Sequence, residues 1–171
     1  AGYGYTVAGL ALADAADSVL GALTYTYGAI TGVGTVSITI SGAAATDNYT
    51  ITYKTGTLTV TPYTLRAEDV QWYDKAGGTL LGGGGKFEYT YIPGTMQQPY
   101  AEARALINGE RVTLIVSGGK INAGYGYEAE IVGISGVSAS NYALPVTGIK
   151  VVFDILPSPL AGKIVWSSEP I

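Results

Sequence analysis

Asp47-Asn48-Tyr49-Thr50-Ile51-Thr52-Tyr53-Lys54-Thr55-Gly56-Thr57-Leu58-Thr59-Val60-Thr61-Pro62 is written in two-residue steps. Tyr49, Ile51 and Tyr53 alternate with Thr50, Thr52 and Lys54, the pattern of a strand with one face buried and one wet. Lys54-Thr55-Gly56 offers a turn, because glycine tolerates positive φ. Leu58 and Val60 then resume the alternation against Thr57, Thr59 and Thr61. Pro62 lacks an amide hydrogen and ends ladder pairing. The expectation is a β-hairpin, residues 49–54 against 57–61, closing a small domain.

The second half of the chain repeats this grammar. Asn141-Tyr142-Ala143-Leu144-Pro145-Val146-Thr147-Gly148-Ile149-Lys150-Val151-Val152-Phe153-Asp154-Ile155 again runs from Asn-Tyr through a short strand and Thr-Gly to a closing strand. Upstream, Val33-Gly34-Thr35-Val36-Ser37-Ile38-Thr39-Ile40 has its counterpart in Ala123-Gly124-Tyr125-Gly126-Tyr127-Glu128-Ala129-Glu130-Ile131. Two matched segments in the same order indicate a diverged tandem repeat.

On these residues the chain resembles the MBG-type repeats of bacterial cell-surface adhesins. Asn48 to Tyr53 running into Gly56 to Pro62 is similar to the end of such a repeat, Val33-Gly34-Thr35 to its "VGTY" strand, and Asp14 to Leu20 to its "GDTAAVL" turn. Residues 87–155 resemble a sister repeat. Phe87 to Pro99 matches its "F-x-Y…Q-P" opening, Leu106 to Val112 its "LVNGDKV" segment, and Asn122-Ala123-Gly124-Tyr125 its "NAGTY" strand start. The resemblance implies a mainly β fold, a tandem of two small β-rich domains with at most one short helix each. A β-grasp-like unit is favoured and an immunoglobulin-like sandwich is the alternative. Residues 1–62 are the first repeat, without the strand that precedes Tyr3 in the related repeats. Residues 63–157 are the second, and residues 158–171 a linker with the first strand of a further repeat.

Composition agrees with a β protein: 25 Gly, 14 Tyr and 2 Phe in 171 residues. Repeats of this size sit near the lower limit for an adequate core. The net charge of −4 argues against a nucleic-acid partner, and the first cation along the chain is Lys54. No run of about 18 apolar residues marks a membrane span. Zero Cys and zero His remove the usual nucleophile, general base and soft metal ligands. No catalytic residue, cofactor site or metal site is expected.

Further elements follow from local pattern. Residues 1–9 read as a strand and Ala11 to Leu20 as a helix stopped by Gly21. Leu23 to Tyr27 and Gly34 to Ile40 read as strands. In the second repeat, residues 65–72 open the domain and Lys75 to Gly85 is a loop. Phe87 to Tyr91 is a strand, Ile92 to Thr95 a turn and Ala103 to Leu106 one helical turn. Arg111 to Ser117, Tyr125 to Val132 and Ile149 to Ile155 are strands.

Each motif with chemical promise has a plainer reading beside it. Leu144-Pro145-Val146-Thr147-Gly148 spells a sortase signal, but the Lys, Asp, Glu and Pro residues that follow deny it an apolar tail, so it reads as repeat strand. Gly82 to Gly85 lacks the Gly-Lys-Ser/Thr ending of a phosphate loop. Asn48-Tyr49-Thr50 is a glycosylation sequon at a strand start. The acidic pairs Asp14 with Asp17 (one helical face), Glu68 with Asp69 (apart on a strand) and Glu128 with Glu130 (one strand face) read as solvated charge. Lys86, Glu130 and Asn141 supply the residue types of an intramolecular Lys–Asn crosslink.

Tyr25, Tyr27, Tyr89, Tyr91, Tyr125 and Tyr127 are candidate ligand-facing aromatics, weighed against cross-strand packing. The expected role is a non-catalytic stalk or binding segment of an extracellular, bacterial surface protein. Its partners would be a glycan or mucin-like protein and neighbouring repeats. The competing reading is an accessory module of a secreted carbohydrate-active enzyme. Residues 161–167 are expected to exchange as a strand between chains.

Overall fold

The computed structural model describes residues 5–11, 14–42, 47–81, 85–159 and 162. Chain contacts divide into two compact units, Ala1–Thr61 and Pro62–Ile171. Both are built mainly from β-strands.

In the first unit a five-residue helix, α1 (Ala16–Leu20), precedes three strands, β1 (Thr24–Tyr27), β2 (Gly34–Ser41) and β3 (Gly56–Val60). They form one antiparallel sheet in the order β1-β2-β3. The sequence of β2 alternates and so does its burial, with Val36, Ile38 and Ile40 half-buried between exposed neighbours. Gly21, at φ 61, ends α1 as expected. The helix begins later than its alanines suggest: Ala15 is extended, and the Ala11 amide donates to the Tyr49 hydroxyl at 3.1 Å.

Two expectations fail here. Residues 5–9 form no strand; Gly9 sits at φ 91, which breaks extension, and the Tyr5 hydroxyl reaches Asp17 at 3.2 Å. Residues 1–4 lie outside the described residues. The hairpin is also not made. Residues 49–54 form no strand, and β3 pairs with β2 instead, Gly34 opposite Val60, Val36 opposite Leu58 and Ile38 opposite Gly56. Glycine 56 starts the strand rather than closing a turn. The Tyr49 hydroxyl is drawn to Asp14 and Ala11, which holds its segment against the stretch before α1.

The second unit contains β4 (Tyr63–Thr64), β5 (Val70–Tyr73), β6 (Phe87–Thr90), β7 (Tyr100–Ala103), β8 (Thr113–Ser117), β9 (Gly124–Ser135), β10 (Tyr142–Ala143) and β11 (Lys150–Leu156). Its main sheet runs β6-β11-β9-β8, with β6 parallel to β11 and the other pairs antiparallel. Two smaller pairs, β5 with β7 and β10 with β4, complete it among the described residues. One cluster packs Leu65, Val70, Leu114, Ile131, Tyr142 and Ile149; the other packs Phe87, Ala129, Val151, Phe153 and Ile155. Trp72 and Val116 border both.

Residues 100–103 are strand, where the sequence suggests only a helical turn from Ala103. The helical turn falls later, at Ile107–Gly109, entered through Ala105 at φ 51. Residues 67–69 form a 3-10 turn rather than a strand. Leu144 to Gly148 is a turn with Val146 and Thr147 exposed and Leu144 packed on the core, closed by the Gly148 amide donating to the Pro145 carbonyl at 3.0 Å; only Tyr142–Ala143 before it is strand. Gly82 to Gly84 lie outside the described residues, as does residues 161–167 apart from Gly162.

The two units share a pairing scheme. Gly34 opposite Val60 in β2/β3 answers Gly124 opposite Ile155 in β9/β11. Val36 opposite Leu58 answers Tyr127 opposite Phe153, and Ile38 opposite Gly56 answers Ala129 opposite Val151. On the other side, Tyr25 opposite Ile40 answers Val116 opposite Ile131. The register differs at two places: Val132 is an extra residue in β9 between the pairs Ile115–Gly133 and Val116–Ile131, and Tyr125 and Gly126 together oppose Asp154, where Thr35 alone opposes Thr59. The second is a β-bulge, and Gly126 at φ 67 is the residue that permits it.

Candidate functional site

The bulge creates the most enclosed polar group in the second unit. Alternation along β11 buries Val151, Phe153 and Ile155 and should turn Asp154 outward with Val152. Asp154 is instead 1% exposed. The kinked strand aims the Gly126 amide at its Oδ1, donating at 2.8 Å, and the Lys86 ammonium contacts Oδ2. The Lys86 hydrogen bond and the Gly126 amide hold the Asp154 carboxyl below its ordinary pKa. The same hydrogen bond holds the Lys86 ammonium above its own. The result is an ionised pair tying the entry to β6 onto β11, a structural clasp rather than a proton-transfer pair.

That clasp removes Lys86 from the crosslink constellation. The Asn141 amide donates to Glu110 at 2.8 Å, and Glu130 lies 3.9 Å from Lys150, so Lys86, Glu130 and Asn141 are each engaged elsewhere. The sequence reading missed Asp154. Two signals mark it: an acid inside an apolar run, and a second glycine inside the strand pattern Gly124-Tyr125-Gly126-Tyr127.

The acidic pairs are likewise committed to structure. Asp14 precedes α1 and accepts from Tyr49, while Asp17 accepts from Tyr5, so the two carboxylates serve different tyrosines. Asp69 accepts from the Arg66 amide at 2.8 Å and from the Tyr63 hydroxyl at 3.0 Å; Glu68 reaches only the exposed Arg66 guanidinium at 3.5 Å. Donation to these carboxylates raises the pKa of Tyr5, Tyr49 and Tyr63. Glu128 and Glu130 share a strand face as expected, with Lys150 between them at 3.5 and 3.9 Å. Exposed pairs of this kind contribute little, about 0–1 kcal/mol.

The six tyrosines divide. The ring of Tyr89 packs edge-on against Phe153 at 5.8 Å and its hydroxyl donates to the Asp74 carbonyl at 2.8 Å; burial first, then the Asp74 charge, raises its pKa. Tyr127 lies 5.6 Å from Phe153, with the Lys120 ammonium over its ring at 5.6 Å. Tyr91 packs on the same apolar cluster. These three are cross-strand packing. In the first unit Tyr25 is half-buried opposite Ile40, whereas Tyr27, opposite Ile38, is 51% exposed. Tyr125 rides on the bulge, 69% exposed. Tyr27 and Tyr125 are outward aromatics, one on each unit.

Among the described residues no helix is long and apolar enough to cross a membrane, and no group of three acidic residues gathers as for a metal. No curated protein and no solved structure matches this chain. Residues 1–59 match the family model of the MBG domain (YGX type), which marks a repeat module of surface proteins. That span takes in α1, β1, β2 and nearly all of β3, and it is similar to an MBG-type repeat.

Proposed function

We propose that the chain is a non-catalytic segment of a bacterial cell-surface adhesin, displayed outside the cell, in which successive β-rich repeats build a stalk. The observation that carries this reading is the pairing scheme common to both units, Gly34 with Val60 and Gly124 with Ile155. A module used twice with its strand pairing kept and its surface changed serves as a building block. The acids support the same reading, since Asp14, Asp17, Asp69 and Asp154 all hold local structure together.

A second role, binding of a glycan or mucin-like protein, is favoured by one observation: the outward rings of Tyr27 and Tyr125, apolar faces with a hydroxyl rim. A glycan and mucin array probed with the whole chain separates the two. Saturable binding that Tyr27→Ala and Tyr125→Ala abolish identifies a binder. A blank array with a rod-like small-angle scattering profile identifies a stalk. Turnover of any glycan by the purified chain refutes both.

A further inference from the structure

In the second unit the outer edge of β11 is covered. There β6 lies parallel to it, with Phe87 opposite Phe153, Glu88 opposite Asp154, Tyr89 opposite Ile155 and Thr90 opposite Leu156. By the shared pairing scheme β3 is the counterpart of β11, Leu58 standing for Phe153 and Val60 for Ile155. Yet β3 is an edge strand of its sheet among the described residues. Burial records the difference. Phe153 and Ile155 are both 0% exposed, whereas Leu58 and Val60 are only half-buried. Along the β3 edge, Gly56 to Val60 contains no charge and no proline, and its register with β2 runs without a bulge.

The chain carries a second segment spelled like β6. Gly85-Lys86-Phe87-Glu88-Tyr89 is glycine, lysine, apolar, variable, aromatic, and Gly162-Lys163-Ile164-Val165-Trp166 follows the same order. We propose that the edge of β3 receives residues 163–167 of a second copy of this chain, parallel and in the register that β6 takes on β11. Ile164 then stands opposite Leu58, Val165 opposite Thr59, Trp166 opposite Val60 and Ser167 opposite Thr61. Ile164 and Trp166 bring apolar surface to the two side chains that lack cover. One polar difference remains: β6 brings Lys86 to Asp154, whereas Lys163 meets Thr59 at the counterpart position and stays in solvent. Main-chain hydrogen bonds supply the attraction and the alternate apolar positions fix the register.

Sedimentation of the full chain over a concentration series tests this. The expected result is a mass that rises from monomer to dimer or beyond, and a Val165→Pro variant that stays monomeric with an unchanged circular dichroism spectrum. Register is read separately, because the chain has no cysteine of its own. With Thr59→Cys and Val165→Cys in one chain, oxidation should give covalent multimers on a non-reducing gel. With Thr57→Cys in place of Thr59→Cys it should give few, since a two-residue shift exceeds disulfide reach. A wild-type chain that stays monomeric, a Val165→Pro variant that associates equally, or equal crosslinking from positions 57 and 59 overturns the proposal.

Discussion

Replacing Phe153 by alanine tests both the core and the division into two units. Phe153 is 0% exposed and its ring meets Tyr89 at 5.8 Å and Tyr127 at 5.6 Å. Truncating so enclosed an aromatic costs about 3–5 kcal/mol, and the two surrounding rings hinder collapse of the void, which favours the upper part of that range. A unit of this size unfolds with an entropy of about 0.2 kcal/mol/K, so its transition should fall by roughly 20–25 °C. Leu58→Ala is the matched perturbation in the first unit. Leu58 holds the equivalent place in the register but is half-buried, so its truncation should cost about 1–2 kcal/mol.

Differential scanning calorimetry of the whole chain is the assay, because a chain of two units need not unfold in one step. Phe153→Ala should lower one transition and leave the other in place, and Leu58→Ala should do the reverse. If both substitutions lower a single common transition, the chain has one cooperative core and the reasoning from separate units fails. If Phe153→Ala costs less than Leu58→Ala, the reading of β11 as the interior strand of its sheet fails.

Three further outcomes are expected. Asp154→Asn keeps the shape but removes the charge: because the Asp154 carboxyl is held low by Lys86 and Gly126, its contribution is complete above the unfolded carboxyl value, about 4, and is lost as pH falls through the lower folded value, so the variant should show a flatter acid limb in thermal melts below that pH. Gly126→Ala should destabilise by about 1–2 kcal/mol from the left-handed backbone alone, since an added Cβ meets nothing within 4 Å. Gly118→Ala, at φ 107 and driven into the Glu128 carbonyl, should cost clearly more in chemical denaturation, and equal costs would refute the distinction. In an alkaline absorbance titration Tyr5, Tyr49 and Tyr63 should ionise late; folding stability should decline from about pH 10 upward as the unfolded phenols ionise first, and Tyr63→Phe should weaken that decline.

The strands that were legible are those whose alternation is self-sufficient. In β2, Val36, Ile38 and Ile40 stand between Thr and Ser, and no other arrangement buries all three on one face. The segment from Tyr49 to Tyr53 alternates as well, and there the pattern misled. The strand expected to be its partner, β3, pairs with β2 instead, from Gly56 opposite Ile38 to Val60 opposite Gly34. The Tyr49 hydroxyl, bonded to Asp14, shows what the ring does instead, and no periodicity encodes that. The same limit hid β7, whose Tyr100-Ala101-Glu102-Ala103 has weak strand propensity and is held by pairing to Val70 through Tyr73. Of the tyrosines, sequence spacing identified ring-rich faces but not which rings a neighbouring phenylalanine would draw inward.

The bulge shows how a repeat acquires a difference without losing its scheme. The unit in which β6 flanks the last strand has an acid at position 154, an inserted glycine that turns its amide toward that acid, and a lysine at the entry to β6 to neutralise it. The unit whose last strand is an edge among the described residues has threonine at the counterpart position, an unbroken register and no insertion. Each of these differences is intelligible as part of one change, the docking of a fourth strand, because an acid buried without its lysine would be an uncompensated charge. Asp154 therefore belongs to the architecture of the sheet: its burial follows from the lysine that β6 brings, and Thr59 marks what the same position becomes when that lysine is absent.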